Sequence, residues 1–297
     1  MNNNKVLDTV IVGAGFAGMY CLHKQISDGF NAEIFEKADD VGGTWYWNKY
    51  PGARCDIESM DYSYSFSEEL QQEWNWKEKY GTQPELLKYA RFVSKKFNLR
   101  EKINFKTTII KANFINKKWK IETDNNIIIE CKYLVLATGN LSTPNTPKIK
   151  GISNFKGKIY HTGAWPKEMP VFENRKVGVI GTGSSGVQSI PIISETAKKL
   201  FVFQRTANFS LPARHHKLPE DKRENYKKDY KKYRDLAKNS SFGIAKYQPP
   251  SKSAFDVSDD ERNDIYERAW QEGGQAMLFA FTDLLTNKEA NKTAADF

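Results

Sequence analysis

At 297 residues, with 39% apolar and 27% charged side chains, the chain can bury the core of about two domains and is neither fibrous nor disordered in composition. Its formal charge of +9 raises nucleic acid as a partner, while three cysteines without a CxxC pair, Cys21, Cys55 and Cys131, argue against a disulfide framework or a redox dithiol. No apolar run approaches the roughly 20 residues of a membrane helix, and MNNNKVLDTVIVGAG lacks a basic-then-apolar leader, so a cytoplasmic protein without membrane attachment is expected.

The first organised stretch is DTVIVGAGFAGMYCLHKQISDGFNAEIFEK, residues 8–37. An apolar run, Val10–Val12, leads into Gly13-x-Gly15-x-x-Gly18, a helix-compatible stretch follows to about Asp28, and a second strand ends at Glu36. This is the order of a dinucleotide-binding βαβ unit: one glycine turns the chain, one admits the pyrophosphate, and one lets helix and strand pack closely. The helix N-terminus then presents unpaired N–H groups to the phosphates, and Glu36, 18 residues after Gly18, suits a ribose 2′-hydroxyl. Glycines alone do not say which dinucleotide this site takes.

Next comes GGTWYWNKYPGARCD (42–56), then short alternating strands in 103–114 and 118–140 that flank the turn Asp124-Asn125-Asn126. A last apolar strand, Tyr133–Leu136, ends in Ala137-Thr138-Gly139. FKGKIYHTGAWP (155–166) holds a lone histidine that no neighbouring acid or metal-ligating residue accompanies, so no metal site is expected. His161 is open to three readings: a general base, an ordinary loop residue, or part of a linker that couples two cofactor sites.

The glycine pattern returns in residues 175–206, with a strand at Val177–Ile180, the turn Gly181-x-Gly183-x-x-Gly186 and a second strand at Leu200–Gln204. The residue 23 places after Gly181 is Gln204, where the first unit has Glu36 23 places after Gly13, and Arg205 follows it. A neutral residue beside an arginine suits a 2′-phosphate, so this second site is expected to take NADP(H). Further on, Tyr226, Tyr230 and Tyr233 in 217–238 give one helix an aromatic stripe and a charged outer face, a solvated surface in preference to a nucleic-acid patch. Ser258-x-x-Glu261 is a capping box opening a helix that Gly273-Gly274 would end, and a further helix begins at Asn287.

Two of these stretches carry a resemblance. Gly42-Gly43-x-Trp45, Tyr50-Pro51-Gly52 and Asp56 match the [A/G]GxWxxxxYPGxxxD motif of Baeyer–Villiger monooxygenases, and Phe155, Gly157, His161, Trp165 and Pro166 match that family's FxGxxxHxxxWP fingerprint. In motif order, and at lower specificity to its last residue, the chain resembles this family throughout. The resemblance implies an α/β flavoprotein with two dinucleotide-binding (Rossmann-like) units and a helical insertion, incomplete at the C-terminus. Its domains would be 1–147 (FAD-binding, N-terminal part), 148–208 (start of the NADP-binding domain with the fingerprint linker) and 209–297 (helical insertion). An active-site arginine and further strands of the family's plan would lie beyond residue 297.

For individual residues, the resemblance implies that FAD would meet Gly13, Gly15, Gly18, Glu36, Thr44, Trp45, Asp56, Tyr62 and the Ile109 backbone. NADPH would meet Arg54, Cys55, Asp56, Thr182, Gly183, Ser184, Ser185, Gly186, Val187 and Gln188, with Arg205 and Thr206 on the 2′-phosphate. Asp56 is the expected catalytic residue. The implied reaction inserts one oxygen of O2 beside a ketone carbonyl, giving an ester or lactone by way of a C4a-peroxyflavin. Flavin N- or S-oxygenation, or cofactor binding without catalysis, are the alternatives. No nucleic-acid or membrane partner is expected.

Overall fold

In order along the chain, the strands are β1 (Asn4–Val12), β2 (Ala32–Phe35), β3 (Ile103–Asn104), β4 (Ile109–Ile115), β5 (Lys118–Thr123), β6 (Ile128–Leu136), β7 (Lys176–Ile180) and β8 (Lys199–Phe203) in the computed structural model, which describes residues 4–240 and 242–297. The helices are α1 (Phe16–Ser27), α2 (Thr44–Trp47), α3 (Glu68–Glu73), α4 (Gln83–Lys96), α5 (Ser184–Ser194), α6 (Glu220–Lys228), α7 (Tyr230–Lys238), α8 (Asp259–Glu272) and α9 (Lys288–Asp296). Contacts divide the chain into two units, one from residues 1–53, 83–177 and 187–201, the other from 54–82, 178–186 and 202–297. β7, α5 and β8 run from one unit into the other.

The first unit is built on a six-stranded sheet of order β3-β2-β1-β6-β5-β4. β1 lies parallel to β2 on one side, with Val12 opposite Phe35, and parallel to β6 on the other, with Val12 opposite Leu136. Val10 and Ile11 are fully buried, as a central parallel strand covered on both faces requires. Met19 and Leu22 of α1, Ala90 of α4 and Leu99 close over Ile11 and Ile34. The sequence reading separates a small antiparallel sheet from the strand at Tyr133–Leu136, and the structure merges them. β6 is nine residues with no glycine or proline to break it, so its first half pairs antiparallel with β5 while its whole length follows β1. The expected turn at Asp124–Asn126 is present, with Thr123 Oγ1 accepting from the Ile127 N–H at 2.9 Å.

β7 and β8 form a separate two-stranded sheet, and among the described residues no strand follows β8.

The second unit has its own core, in which Tyr266 and Phe281 meet edge to face at 5.4 Å among Tyr247, Ala254, Met277 and Leu284. The expected single helix over 217–238 is two, α6 and α7, joined through Asp229. Its tyrosine stripe is real: the rings of Tyr226 and Tyr233 stack at 4.1 Å, and Tyr230 meets Tyr226 edge to face. The charged face is less solvated than its composition suggests. Lys227 is 6% exposed, and its Nζ donates to the Gln72 carbonyl and to Asn75 Oδ1, both at 2.5 Å.

Ser258 caps α8 by accepting from the Glu261 N–H at 3.2 Å, and Gly273 ends the helix. The reciprocal half of the capping box is missing, because the Glu261 carboxylate instead meets Lys252 Nζ at 2.7 Å. Among the described residues, no helix is long and apolar enough to cross a membrane. Ser258→Ala is expected to cost about 1 kcal/mol by leaving a helix N–H unpaired, measured as a lower urea midpoint at unchanged slope.

Candidate functional site

The first glycine turn is closed by backbone meeting backbone. Gly13, at φ +102°, lies where a Cβ would stand 2.7 Å from the Ala137 carbonyl oxygen, and a Cβ on Gly18 would stand 1.9 Å from the Gly13 oxygen. The strand ending in Ala137-Thr138-Gly139 therefore forms the wall of this turn. Gly15 precedes the 12-residue α1 with no side-chain cap, so the first N–H groups of that helix are left for an anionic ligand. Glu36 is 6% exposed, with Oε2 accepting from the Ala14 N–H at 2.7 Å and Oε1 from the Ala38 N–H at 2.8 Å. A carboxylate has about four acceptor positions, so each oxygen retains one. These residues fit a dinucleotide: a glycine cradle, an open helix end and a carboxylate with spare acceptors.

The motif over 42–56 is seated on that turn. A Cβ on Gly43 would lie 2.8 Å from the Gly15 Cα, and the Gly42 N–H donates to the Ala14 carbonyl at 3.0 Å. Gly43 leads into α2, which opens with half-buried Thr44 and buried Trp45. Gln83 holds the segment at two points, its side-chain amide donating to the Trp45 carbonyl and its backbone N–H to the Ala53 carbonyl. Tyr50 Oη donates to Gln188 Oε1 of α5 at 2.9 Å, and Gly52 passes so close that a Cβ there would stand 2.2 Å from the Gln188 carbonyl oxygen. Gln83 carries no motif signal, and Gln188, expected at the NADPH phosphates, gives no sign in the sequence of its bond to Tyr50, 138 positions away.

At the second turn, a Cβ on Gly186 would lie 2.4 Å from the Gly181 oxygen, whereas Gly183 faces open space, as close approach of a phosphate needs. Gln204, the neutral counterpart of Glu36, is exposed and donates from its amide to Thr182 Oγ1 at 2.8 Å, and Asn208 donates to the Thr182 carbonyl at 3.0 Å. Arg205 and Thr206 are exposed, as are Ser184 and Val187, while Ser185 is half-buried.

In the fingerprint stretch, Phe155 lies over Gly157, and His161 Nδ1 accepts from the Gly163 N–H at 3.0 Å to cap a short 3-10 turn. The neutral ring therefore carries its proton on Nε2. Trp165 lies between Tyr160 and Phe172, with centroids at 5.7 and 6.4 Å, before the half-buried Pro166. The buried Trp165 indole N–H has no hydrogen-bond partner among the described residues.

The segment from Arg54 belongs to the second unit, so Asp56 and Tyr62 are grouped there, apart from Thr44 and Trp45. Arg54 NH1 lies 3.8 Å from Glu78 Oε2, Asp56 is exposed and Tyr62 half-buried. Cys55 is buried, and desolvation pushes its thiol up to about 12. Ile109 heads β4 opposite Thr123 and packs beside Leu7, Val10 and Phe35.

Residues 6–219 match the family model described as flavin-binding monooxygenase-like. Over 297 residues the chain is 42% identical to a Baeyer–Villiger monooxygenase of Pseudooceanicola batsensis, covering 98% of this chain and 54% of that protein. It is 40% identical over 301 residues to phenazine N-monooxygenase PhzNO1 of Lysobacter antibioticus, covering 100% of this chain and 55% of that one. The solved structure of an oxidized steroid monooxygenase bound to NADP superposes with a TM-score of 0.92 at 48% identity, over 98% of this chain and 56% of that one. The chain spans about half the length of the curated relatives it matches.

A thiol held up to about 12 stays protonated through neutral pH, and the thiolate is the form that is alkylated. At pH 8, Cys55 in the folded protein is therefore expected to react with iodoacetamide about a thousandfold more slowly than a free cysteine, with the rate climbing as pH rises, read by peptide mass spectrometry.

Proposed function

Because this chain belongs to the flavin-binding monooxygenase-like family, we propose that it forms the cofactor-binding part of a Baeyer–Villiger monooxygenase, with FAD at the first glycine turn and NADPH at the second. The observation that carries this reading is the seat of Gly43 against Gly15, which sets the Gly-Gly-x-Trp motif on the rim of a dinucleotide cradle. In the overall reaction a ketone, O2, NADPH and a proton become an ester or lactone, water and NADP⁺. Bound FAD would supply the oxygen activation.

The chain's own residues bind and orient. Gly13, Gly15 and Gly18 admit the FAD pyrophosphate, Glu36 uses its spare acceptors for the ribose, and Thr44 and Trp45 wall the cofactor. Thr182–Gln188 cradle the phosphates of NADPH, with Thr182 braced by Gln204 and Asn208. Arg205 and Thr206 take the 2′-phosphate, and Asp56 orients the nicotinamide. Cys55 contributes backbone and volume, because a protonated, buried thiol is no nucleophile. The fingerprint turn from Phe155 to Pro166 couples the two sites, with His161 serving as a cap.

A second reading is N-oxygenation, favoured by the 40% identity to a phenazine N-monooxygenase. The two are separated by product: a cyclic ketone should raise NADPH consumption and give one ester per NADPH, whereas an aromatic N-heterocycle should give an N-oxide under the second reading. Flavin and NADP⁺ binding without ketone-stimulated NADPH consumption would remove oxygenation from this chain and keep the cofactor assignment. Arg205→Ala should weaken NADP⁺ about 10- to 100-fold and leave NAD⁺ unchanged, by calorimetry, since it removes charge-assisted bonds to one phosphate.

A further inference from the structure

Residues 54–63 carry Arg54, Cys55, Asp56 and Tyr62 and contain neither helix nor a named strand. Local turns supply part of their order: the N–H groups of Asp61 and Tyr62 both donate to the Glu58 carbonyl, at 3.0 and 2.9 Å, and that of Ser63 to the Asp61 carbonyl at 2.9 Å. The Cys55 N–H donates to the Gly81 carbonyl at 2.9 Å, and Ser59 is held by the Lys79 and Glu78 carbonyls at 2.7 and 2.8 Å, while the turn Met60–Ser63 is held from α7. Arg234 NH1 donates to the Asp61 carbonyl at 3.1 Å, and NH2 to the Met60 carbonyl at 3.2 Å and to Ser63 Oγ at 2.7 Å. Its Nε donates to Gln71 Oε1 at 3.1 Å, and its guanidinium lies over the Tyr230 ring at 5.3 Å.

One planar fork thus joins the Met60 and Asp61 carbonyls to the Ser63 hydroxyl, which a lysine's point charge cannot do. Beside it, Tyr226 Oη donates to Asp61 Oδ1 at 2.8 Å, and burial pushes the Asp61 carboxyl up. All of these groups lie in the second unit, together with the second glycine turn and Arg205.

We propose that Arg234 is a positioning residue that fixes the turn Met60–Ser63, and through it the segment Arg54–Tyr62, for the nicotinamide half of NADP(H). The inference rests on the NADPH reading above. Arg234 acts through the turn it holds, removing the ordering cost that a loose segment would otherwise add to binding.

The test compares two ligands by calorimetry on the full chain loaded with FAD: NADP⁺, and adenosine 2′,5′-bisphosphate, which has the phosphates but no nicotinamide. Arg234→Met is expected to weaken NADP⁺ about tenfold and change the bisphosphate less than about twofold. Arg234→Lys should behave as the methionine variant does, because charge without the fork does not rescue. Ser63→Ala removes one bond with no buried charge left behind, and should shift NADP⁺ alone by about two- to threefold. Equal weakening of both ligands would make Arg234 a general structural residue and overturn the proposal, as would unchanged binding of both. Wild-type protein that binds neither ligand would instead overturn the NADPH reading itself.

Discussion

Three places where one backbone touches another with no side chain between them govern the first unit: Gly18 on the Gly13 carbonyl, Gly13 on Ala137, and Gly43 on Gly15. Because α1 can approach β1 only this closely, the end of β6 comes to rest against the glycine turn. Because Gly43 then meets Gly15, the chain from 42 onward starts from a fixed point. Interiors pack near crystal density, so even one added methyl at such a contact must displace backbone rather than a side-chain tip. Glu36 belongs to the same arrangement, since its carboxylate ties Ala14 in the turn to Ala38 beyond β2.

Beside its apolar core, the second unit carries a cluster of largely half-buried charges. Glu58 Oε1 receives Lys246 Nζ at 2.9 Å, Lys246 also meets Glu272 at 3.0 Å, and Lys79, 6% exposed, lies 3.7 Å from the same Glu58 oxygen. Burial works against the Lys246 ammonium, but the hydrogen bonds it donates to the Glu58 and Glu272 carboxylates outweigh that and the pKa is raised. For Lys79 desolvation wins and the pKa is lowered. Part of the chain's basic excess is thus folded inward as loop braces, which accounts for lysines that a composition count assigns to solvent.

Legibility in the sequence follows the distance over which each interaction acts. The glycine turns, the strand end at Val12, the Asp124–Asn126 turn and the Ser258 cap are set by residues within a few positions of one another and are legible, while the strand ends expected at Glu36 and Gln204 fall one residue earlier, at Phe35 and Phe203. The merged sheet was not, because β6 pairs on two edges with partners from different parts of the chain. The break at Asp229 was hidden by helix-compatible composition on both sides. Gln83, Asn208 and Arg234 leave no spacing signature, since each acts on carbonyl groups, and every residue has one. Conversely, Gln204 is legible in the sequence as a neutral residue, but not for the bond its amide donates to Thr182.

The contact of Tyr50 and Gly52 with Gln188 bears on how such a protein could be redesigned. Nucleotide preference is usually treated as a cassette, a glycine turn with its helix, to be exchanged for another. Here the fifth residue of that helix is also the floor on which a tyrosine-proline-glycine corner rests, with no room for a Cβ. A transplanted α5 would have to bring a glutamine at this position and the same backbone height, or the corner would lift. The helix and the corner therefore form one heritable unit, though Tyr50 and Gln188 are 138 positions apart.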